Sequence, residues 1–316
     1  MERVKVEFET ITPIWTGNAW GKCNEIKPTS IMGSLRFWFE VYCYFIGIDV
    51  KEHNKESLDY NWFKSTLEKT LKGVIENKNI QEIDTQKIAF EIIKEKLTLP
   101  SCVFGCTGWK SRVEIESINF DKKTLRDNFD YISFHSQDNN TRWWTKKILF
   151  NNRREIEIFE NVTVELKIDN NVLNDFKKFI KFYEEKPILI GGKKTFGFGF
   201  VKLKSNLDLS DIKDIEIKKD DIVIWDTITI NPNNITGYNI KYFLRKKENK
   251  KFRVKNFGKM SQASKYYFSC VVDNQCYIIS FNQDSFILNK YKKWLENEGK
   301  KQDNFIQTNF DSRDIK

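Results

Sequence analysis

The order in which strand-like and helix-like patterns follow one another along residues 1–205 constrains the fold of this chain more than any other feature. Polar and apolar residues alternate, as in strands with one buried face, over four segments: 4–9, 112–116, 162–168 and 200–203. Helical spacing of apolar residues separates the first two segments, over 31–46, and the last two, from Asn171 onward. The resulting order, β-α-β-β-α-β, predicts a ferredoxin-like module, a fold whose open sheet face also serves RNA-recognition (RRM-like) modules.

Two insertions interrupt this first module. A charged, helical segment at 50–98 follows the first helix, and a long polar arm at 119–160 separates the second strand from the third. Thr29 or Ser30 is expected to cap the first helix, because a hydroxyl at that position accepts a hydrogen bond from a backbone N–H that has no partner within the helix.

A shorter series of the same patterns predicts a second module over 206–299, followed by a polar tail at 300–316. Its expected strands lie at 222–230, 265–268 and 276–279, and its expected helices at 235–247 and from Asp284 to just before Gly299. The two modules share an echo, because Phe104-Gly105 precedes Ser111-Arg112 at the spacing at which Phe257-Gly258 precedes Ser264-Lys265. The sequence therefore predicts an α+β chain of two tandem ferredoxin-like modules, with the insertions in the first module, 1–205.

The segment Gly191–Gly199, here called the glycine loop, combines four glycines with Lys193 and Lys194 ahead of the last strand of the first module. Glycine lets backbone N–H groups approach an anion, and lysines attract phosphate, so the loop predicts contact with a nucleic-acid backbone. Phe196 and Phe198 either pack beneath the loop or meet a base. A nucleotide-binding P-loop is excluded by the missing first glycine and by the order helix-loop-strand. The alternative is a turn without a ligand.

Positive charge is concentrated in one stretch of the chain. The net charge is +9, and the residues between Lys241 and Lys265 include ten Lys or Arg and one acid, so the remainder of the chain is neutral. A basic patch on a neutral body is typical of a nucleic-acid surface. A solvated lysine-rich helix end is the alternative interpretation.

Cysteine spacing and hydropathy predict a protein of the cytoplasm without a cofactor. The six cysteines form no Cys-x-x-Cys pair and only His53 and His135 accompany them, which favours free thiols over a zinc site. The longest apolar run, 37–48, is too short to span a bilayer. The N-terminus begins in a strand pattern without a signal segment, so no membrane partner is expected.

Four segments carry a resemblance to a known family. The glycine loop resembles that of the RAMP superfamily of CRISPR-associated proteins. Segments 10–17 and 26–38 resemble the start of the first subunits of the type III-B Cmr effector complex, and 103–113 resembles a Phe-Gly…Ser-Arg-Val motif of the same family. Lys193 and Lys194 are a departure, since relatives often carry arginines there.

The resemblance implies two ferredoxin-like modules, no known catalytic role, and contact with CRISPR RNA, target single-stranded RNA and other RAMP subunits. The resemblance and the charge pattern together predict these RNA-binding residues: Trp15, Thr16, Gly17, Lys27, Ser30, Arg36, Ser111, Arg112, Arg142, Trp143, Gly191, Gly192, Lys193, Lys194, Thr195, Phe196, Gly197, Gly199, Arg245, Arg253 and Lys265.

Several alternatives stay open at this point. Arg36 and Arg112 are expected to face the glycine loop, whereas Trp38 is expected to pack in the core. Trp143, with its neighbour Trp144, suits base stacking or a subunit contact. A metal-independent RAMP endoribonuclease would use His53 or His135 as a general acid or base. A scaffold that binds acidic subunits is a third possibility.

Overall fold

The computed structural model describes residues 1–17, 25–51, 56–76, 84–126, 155–219, 222–229, 237–258, 263–281 and 284–299. Its strands are β1 (Glu2–Thr10), β2 (Val113–Arg126), β3 (Glu155–Ile168), β4 (Ile188–Leu189), β5 (Phe200–Ser205), β6 (Ile224–Thr229), β7 (Tyr266–Phe268) and β8 (Gln275–Ser280). Its helices are α1 (Pro28–Phe45), α2 (Tyr60–Ile75), α3 (Thr85–Lys94), α4 (Leu99–Phe104), α5 (Asn170–Tyr183), α6 (Gly237–Lys247), α7 (Lys250–Phe257) and α8 (Ser285–Gly299). A 3₁₀ turn covers Lys194–Phe196.

The first sheet has the antiparallel order β2-β3-β1-β5-β4. Its central strand, β1, buries Val4, Val6 and Phe8 on one face, in the same hydrophobic cluster as residues of α1 and α5. The prediction of an α+β fold built on alternating strands is confirmed, since side chains two residues apart on a strand share a face.

The other face of β1 is charged. Arg3, Lys5, Glu7 and Glu9 occupy the alternate positions, and Arg3 forms an ion pair with Glu116 at 2.9 Å while Lys5 pairs with Glu7 at 2.6 Å. RNA-recognition modules stack bases on aromatic side chains of this face. On this face β1 carries paired charges instead.

The second sheet has the antiparallel order β6-β8-β7, and both of its faces are covered. Along β8, Cys276 and Ile278 belong to the cluster formed with α6 and α8, whereas Ile279 belongs to the cluster of the first sheet and Tyr277 packs against it. Successive residues of a strand point to opposite faces. The second sheet is therefore held between its own helices and the first sheet's core.

Aromatic rings join the two sheets around Trp38. This residue is fully buried on α1, and its Nε1 donates to the carbonyl oxygen of Leu189 at 3.0 Å. Its ring lies 6.3 Å from that of Trp225 on β6 and 5.9 Å from that of Phe281, measured between centroids. The prediction that Trp38 packs in the core is confirmed.

Four element boundaries differ from the sequence-based expectation. Helix α1 begins at Pro28, because the fixed φ of proline suits the first position of a helix. The residue before it, Lys27, is the N-cap, and neither Thr29 nor Ser30 caps the helix with its side chain. The polar arm is expected to begin at residue 119 and to end at 160, but β2 continues to Arg126 and β3 already begins at Glu155. The ion pairs Lys122–Glu157 and Lys123–Glu160 connect the two strands in this extension. Gly299 ends α8 rather than following it. Helix α7 was not predicted, because its basic sequence has no apolar stripe.

The two Phe-Gly…Ser motifs that the modules share form two turns with the same hydrogen-bonding pattern. In the first, Gly105 ends α4 with φ 81°, and the N–H of Arg112 donates to the carbonyl of Val103 at 2.8 Å. In the second, Gly258 ends α7 with φ 71°, and the N–H of Lys265 donates to the carbonyl of Asn256, also at 2.8 Å.

The serine of each turn makes the same pair of hydrogen bonds to the residue two positions later. Ser111 Oγ accepts from the N–H of Val113 at 3.2 Å and donates to its carbonyl at 2.6 Å. Ser264 Oγ makes the same two contacts with Tyr266, at 3.3 and 2.7 Å. Both serines therefore fix the entry of a strand, β2 and β7.

We predict that Ser111→Ala and Ser264→Ala each lower the free energy of unfolding by about 1 kcal/mol, because each removes partly buried hydrogen bonds. Urea denaturation measures both values. Ser117→Ala, at an exposed position of β2, is the matched control and should change stability by less than about 0.5 kcal/mol. Equal stability of wild type and either turn variant would contradict the shared role.

Candidate nucleic-acid interface

The glycine loop connects β4 to β5 and closes on itself at its base. The N–H of Ile190 donates to the carbonyl of Gly199 at 2.8 Å. Gly199 has φ 78°, and a Cβ atom there would lie 2.0 Å from the carbonyl oxygen of Ile190. Only glycine fits this position, because both the left-handed backbone and the close approach exclude a side chain.

The loop lies along the N-terminal segment 13–17. The N–H of Gly192 donates to the carbonyl of Trp15 at 2.7 Å, and that of Gly199 to the carbonyl of Pro13 at 2.9 Å. Inside the loop, the N–H groups of Phe196 and Gly197 donate to the carbonyls of Lys193 and Lys194. These four N–H groups are therefore occupied within the chain. For Gly192, Gly197 and Gly199, the expectation that the N–H group is offered to an anion is therefore wrong.

One of the two lysines of the loop, Lys193, lies beside an aromatic ring. Lys193 has a left-handed backbone, φ 56°, and its Nζ is 4.8 Å from the centroid of the Trp15 ring. Partial burial lowers the pKa values of both Lys193 and Lys194. The neighbouring Thr195 is exposed. The side chains of the loop thus form a cationic edge with an indole ring against it.

The far end of the loop contacts the second sheet. The N–H of Cys270 donates to the carbonyl of Gly197 at 3.4 Å, and a Cβ at Gly237, where α6 begins, would lie 2.9 Å from the Gly197 Cα. Phe196 and Phe198 are 4% and 0% exposed, so both pack beneath the loop rather than being available to a base. The loop is consequently a junction between the two sheets.

Comparison with protein families agrees with this architecture. The family model of the RAMP superfamily matches residues 7–202, which include the first sheet and the glycine loop. The chain belongs to the RAMP superfamily. No curated protein matches it.

Several solved structures are similar to this RAMP chain. Cmr1 from Pyrococcus furiosus, in its apo form, is 16% identical with a TM-score of 0.45, over 90% of this chain and 89% of that chain. A chain of a type IV-B CRISPR complex is 10% identical with a TM-score of 0.36, over 69% of this chain and 95% of that chain. Oligomeric Cmr4 from Pyrococcus furiosus is 13% identical with a TM-score of 0.27, over 65% and 98% of the two chains.

In this RAMP chain Arg36 points inward, and the expectation that it faces the glycine loop is wrong. Its Nε donates to Glu40 Oε1 at 2.8 Å, its Nη2 donates to Ser101 Oγ at 3.1 Å, and its Nη1 donates to the carbonyl of Gly105. Arg36 is 8% exposed, and a guanidinium buried to that degree requires such partners. It therefore joins α1 to the end of α4.

Arg112 lies at the start of β2, and its contacts are not with the glycine loop as expected. Its Cζ is 4.0 Å from the centroid of the Trp109 ring, and its Nη1 is 3.4 Å from Asp169 Oδ2. Asp169 also accepts a hydrogen bond from the N–H of Asn171 at the start of α5. The Nε of Arg112 is buried without a hydrogen-bond partner among the described residues. Packing against Trp109 determines the direction of this side chain.

The other predicted residues are scattered over the described surface. Thr16 is buried and its Oγ1 donates to the carbonyl of Glu25 at 2.8 Å, whereas Gly17 and Lys27 are exposed. The partly buried members are Ser30, Ser111, Arg245, Arg253 and Lys265. Arg142 and Trp143 lie outside the described residues, as do His53 and His135. The structure thus brings together Trp15, Gly191, Gly192 and Lys193.

Three buried thiols are held in their protonated form. Burial raises the pKa values of Cys102, Cys270 and Cys276 to about 12. Within the described ranges, no group of His, Cys, Asp and Glu side chains is arranged to hold a metal ion. Across the same residues, no helix combines the length and the apolar character needed to cross a bilayer.

Lys241 on α6 was counted within the basic stretch but was not predicted as a site residue. It is 6% exposed, and its neighbours Ile240, Phe243 and Leu244 belong to the core of the second cluster. Burial, and then the charge of Arg245, lower the pKa of Lys241 to about 8. Helical spacing was the available signal, because it places this lysine on the apolar face of α6.

Proposed function

We propose that this RAMP chain is a non-catalytic RNA-binding subunit of a CRISPR type III-B (Cmr) effector complex. In this role it contacts CRISPR RNA and target RNA and packs beside other RAMP subunits. The observation that carries the proposal is the cationic edge of the glycine loop, where Lys193 lies against Trp15 and Lys194 follows it. A lysine stacked on an aromatic ring, with a second lysine next to it in the chain, suits a single-stranded backbone.

The fold that we propose for this role consists of two tandem ferredoxin-like modules. The order β1-α1-β2-β3-α5-β5 in the first part, β6-α6-β7-β8-α8 in the second, and the two Phe-Gly turns of equal geometry support it. The boundaries 1–205, 206–299 and 300–316 stay predictions.

The test is binding of the full chain to labelled single-stranded RNA. We expect the Lys193→Gln/Lys194→Gln double variant to lose about tenfold in affinity for every sequence tried, because phosphate contacts carry no base information. The slope of log affinity against log salt concentration should also fall by about 1.4. Arg36 is left unchanged, since its contacts are internal.

Lys64→Gln/Lys69→Gln, on the exposed side of α2, removes the same charge and is the control. If the loop variant binds RNA as well as wild type does, the loop assignment is wrong. Cleavage of a labelled repeat transcript that is lost in His135→Ala would replace the non-catalytic role with the nuclease alternative. Binding that does not depend on salt would favour a scaffold.

A further inference from the structure

Positive charge is concentrated around helix α7 and is not balanced by acids of the same stretch. Residues 245–258 contain seven Lys or Arg and one acid, Glu248. Glu248 is itself paired, because its Oε1 lies 2.7 Å from the Nζ of Lys290 on α8. On the open face of the first sheet, by contrast, Lys5 and Lys204 form ion pairs with glutamates. The cations around α7 therefore give this part of the surface a net positive charge.

The outer side of α7 combines this charge with an aromatic ring. Lys251 and Lys255 are exposed, and Phe252 is 39% exposed. Residues three and four apart are neighbours on a helix, so Lys255 lies beside both Lys251 and Phe252. Two like charges at this spacing destabilise a helix, and a ring that stays in water adds little to folding. Local choices that oppose stability are expected where residues have a function.

Helix α8 extends this surface with further rings. Phe286, near its start, is 75% exposed, and Lys290 and Trp294 follow at intervals of four residues on the same side of the helix. The Lys290 Nζ lies 4.4 Å from the centroid of the Trp294 ring and 5.9 Å from that of the Phe252 ring. Cations and rings thus alternate across the two helices. The α7–α8 face is defined by these six residues: Lys251, Phe252, Lys255, Phe286, Lys290 and Trp294.

The alternation of cations and exposed rings fits the chemistry of single-stranded RNA. Phosphates carry the negative charge that lysines attract, and an unpaired base of any identity stacks on an aromatic ring. A base inside a duplex is not available for this contact, because its neighbours in the helix already cover both of its faces. Protein–protein interfaces are depleted of lysine, so an acidic protein fits the α7–α8 face less well than RNA does.

We propose that the α7–α8 face is a second surface for single-stranded RNA, in addition to the glycine loop. Lys251 and Lys255 contact phosphates, and Phe252 and Phe286 stack on bases. This inference rests on the proposed function and specifies it further, because it names the helices beside the second sheet that hold the RNA. The sequence pointed to Arg253 on α7, but Arg253 is half-buried, and its exposed neighbours form the surface.

The test measures binding of the full chain to a labelled single-stranded oligouridylate. We expect Lys251→Gln/Lys255→Gln to lower the affinity about tenfold and the slope of log affinity against log salt concentration by about 1.4, as for two phosphate contacts. Phe252→Leu keeps an apolar side chain without the ring, so it should lower the affinity about tenfold and leave that slope unchanged. The lysine variant should melt no lower than wild type, because it removes a like-charge repulsion.

Two variants on α2 are the matched controls. Lys64→Gln/Lys69→Gln removes two exposed lysines, and Tyr60→Leu removes a ring that is 65% exposed. Each should change the affinity by less than about twofold, because charges outside the bound surface act only through screened attraction. If wild type binds the RNA and the α7 variants bind it as well as these controls do, the α7–α8 face is wrong and the proposed function stands.

If wild type binds no RNA, both proposals fail. A duplex of the same strand with oligoadenylate tests the stacking, since its binding should be weaker and should not respond to Phe252→Leu. An equal loss on single strand and duplex would overturn the contact between Phe252 and a base. A separate arm uses polyglutamate, and loss of its binding without loss of RNA binding in Lys251→Gln/Lys255→Gln would assign the face to an acidic protein and overturn the inference.

Discussion

Gly199→Ala should lower the free energy of unfolding by about 3 kcal/mol, since it combines a left-handed backbone with a steric clash. The Cβ would lie 2.0 Å from the carbonyl oxygen of Ile190 at φ 78°. Relief of the clash has to open the loop, and this breaks the hydrogen bonds from Ile190 to Gly199 and from Gly199 to Pro13. We therefore expect RNA affinity to fall together with stability. Urea denaturation and RNA binding measure the two effects.

Gly33→Ala is the matched control for this substitution. Gly33 lies on α1, and a Cβ added there would meet no atom within 4 Å, so alanine should be neutral or stabilising by up to about 1 kcal/mol. A loss of less than about 1 kcal/mol for Gly199→Ala would mean that the loop adapts, contrary to the requirement for glycine there.

Lys241→Met should raise the free energy of unfolding by about 3 kcal/mol at pH 7, which is the free-energy equivalent of the lowered pKa. The pKa of Lys241 is lowered from 10.5 to about 8, so the unfolded chain holds this proton more tightly than the folded chain does. Below pH 8 the lysine is charged in both states and its full cost is present. Between pH 8 and 10.5 the folded chain loses the proton first, so wild type gains stability as the pH rises.

The difference between Lys241→Met and wild type should therefore shrink to about 1 kcal/mol by pH 9.5. Denaturation curves at pH 7 and pH 9.5 measure it. Lys251→Met should alter stability by less than about 0.5 kcal/mol. A Lys241→Met variant that is less stable than wild type at pH 7 would contradict the lowered pKa of Lys241.

The two predictions concern positions with opposite effects on stability. Gly199 supports the loop, so its loss removes stability and affinity together. Lys241 lowers stability because burial disfavours its charged form.

The sequence predicted those strands and helices that bury one face and expose the other. β1, α1, α5 and β5 follow from periodicity, because a strand or helix with one buried face repeats its apolar residues at the period of its own geometry. The echo around Ser111 and Ser264 was also visible, since its turn depends on near neighbours. Helix α7 was missed because neither its apolar residues nor its charges form a stripe.

The order of elements, the RAMP-like motifs and the concentration of cations are readable from the sequence alone, because they depend on residue type and local spacing. What those residues contact depends on the packing of distant segments. From the sequence, Arg36 and Arg112 are both cations within family motifs. In the structure Arg36 donates to the carbonyl of Gly105 at the end of α4, and Arg112 packs on the Trp109 ring, so neither is directed at the glycine loop. The N–H groups of the glycines meet carbonyls that are close in space and far apart in the chain. The lowered pKa of Lys241 follows from its burial beside the second cluster, which depends on the same packing of distant segments.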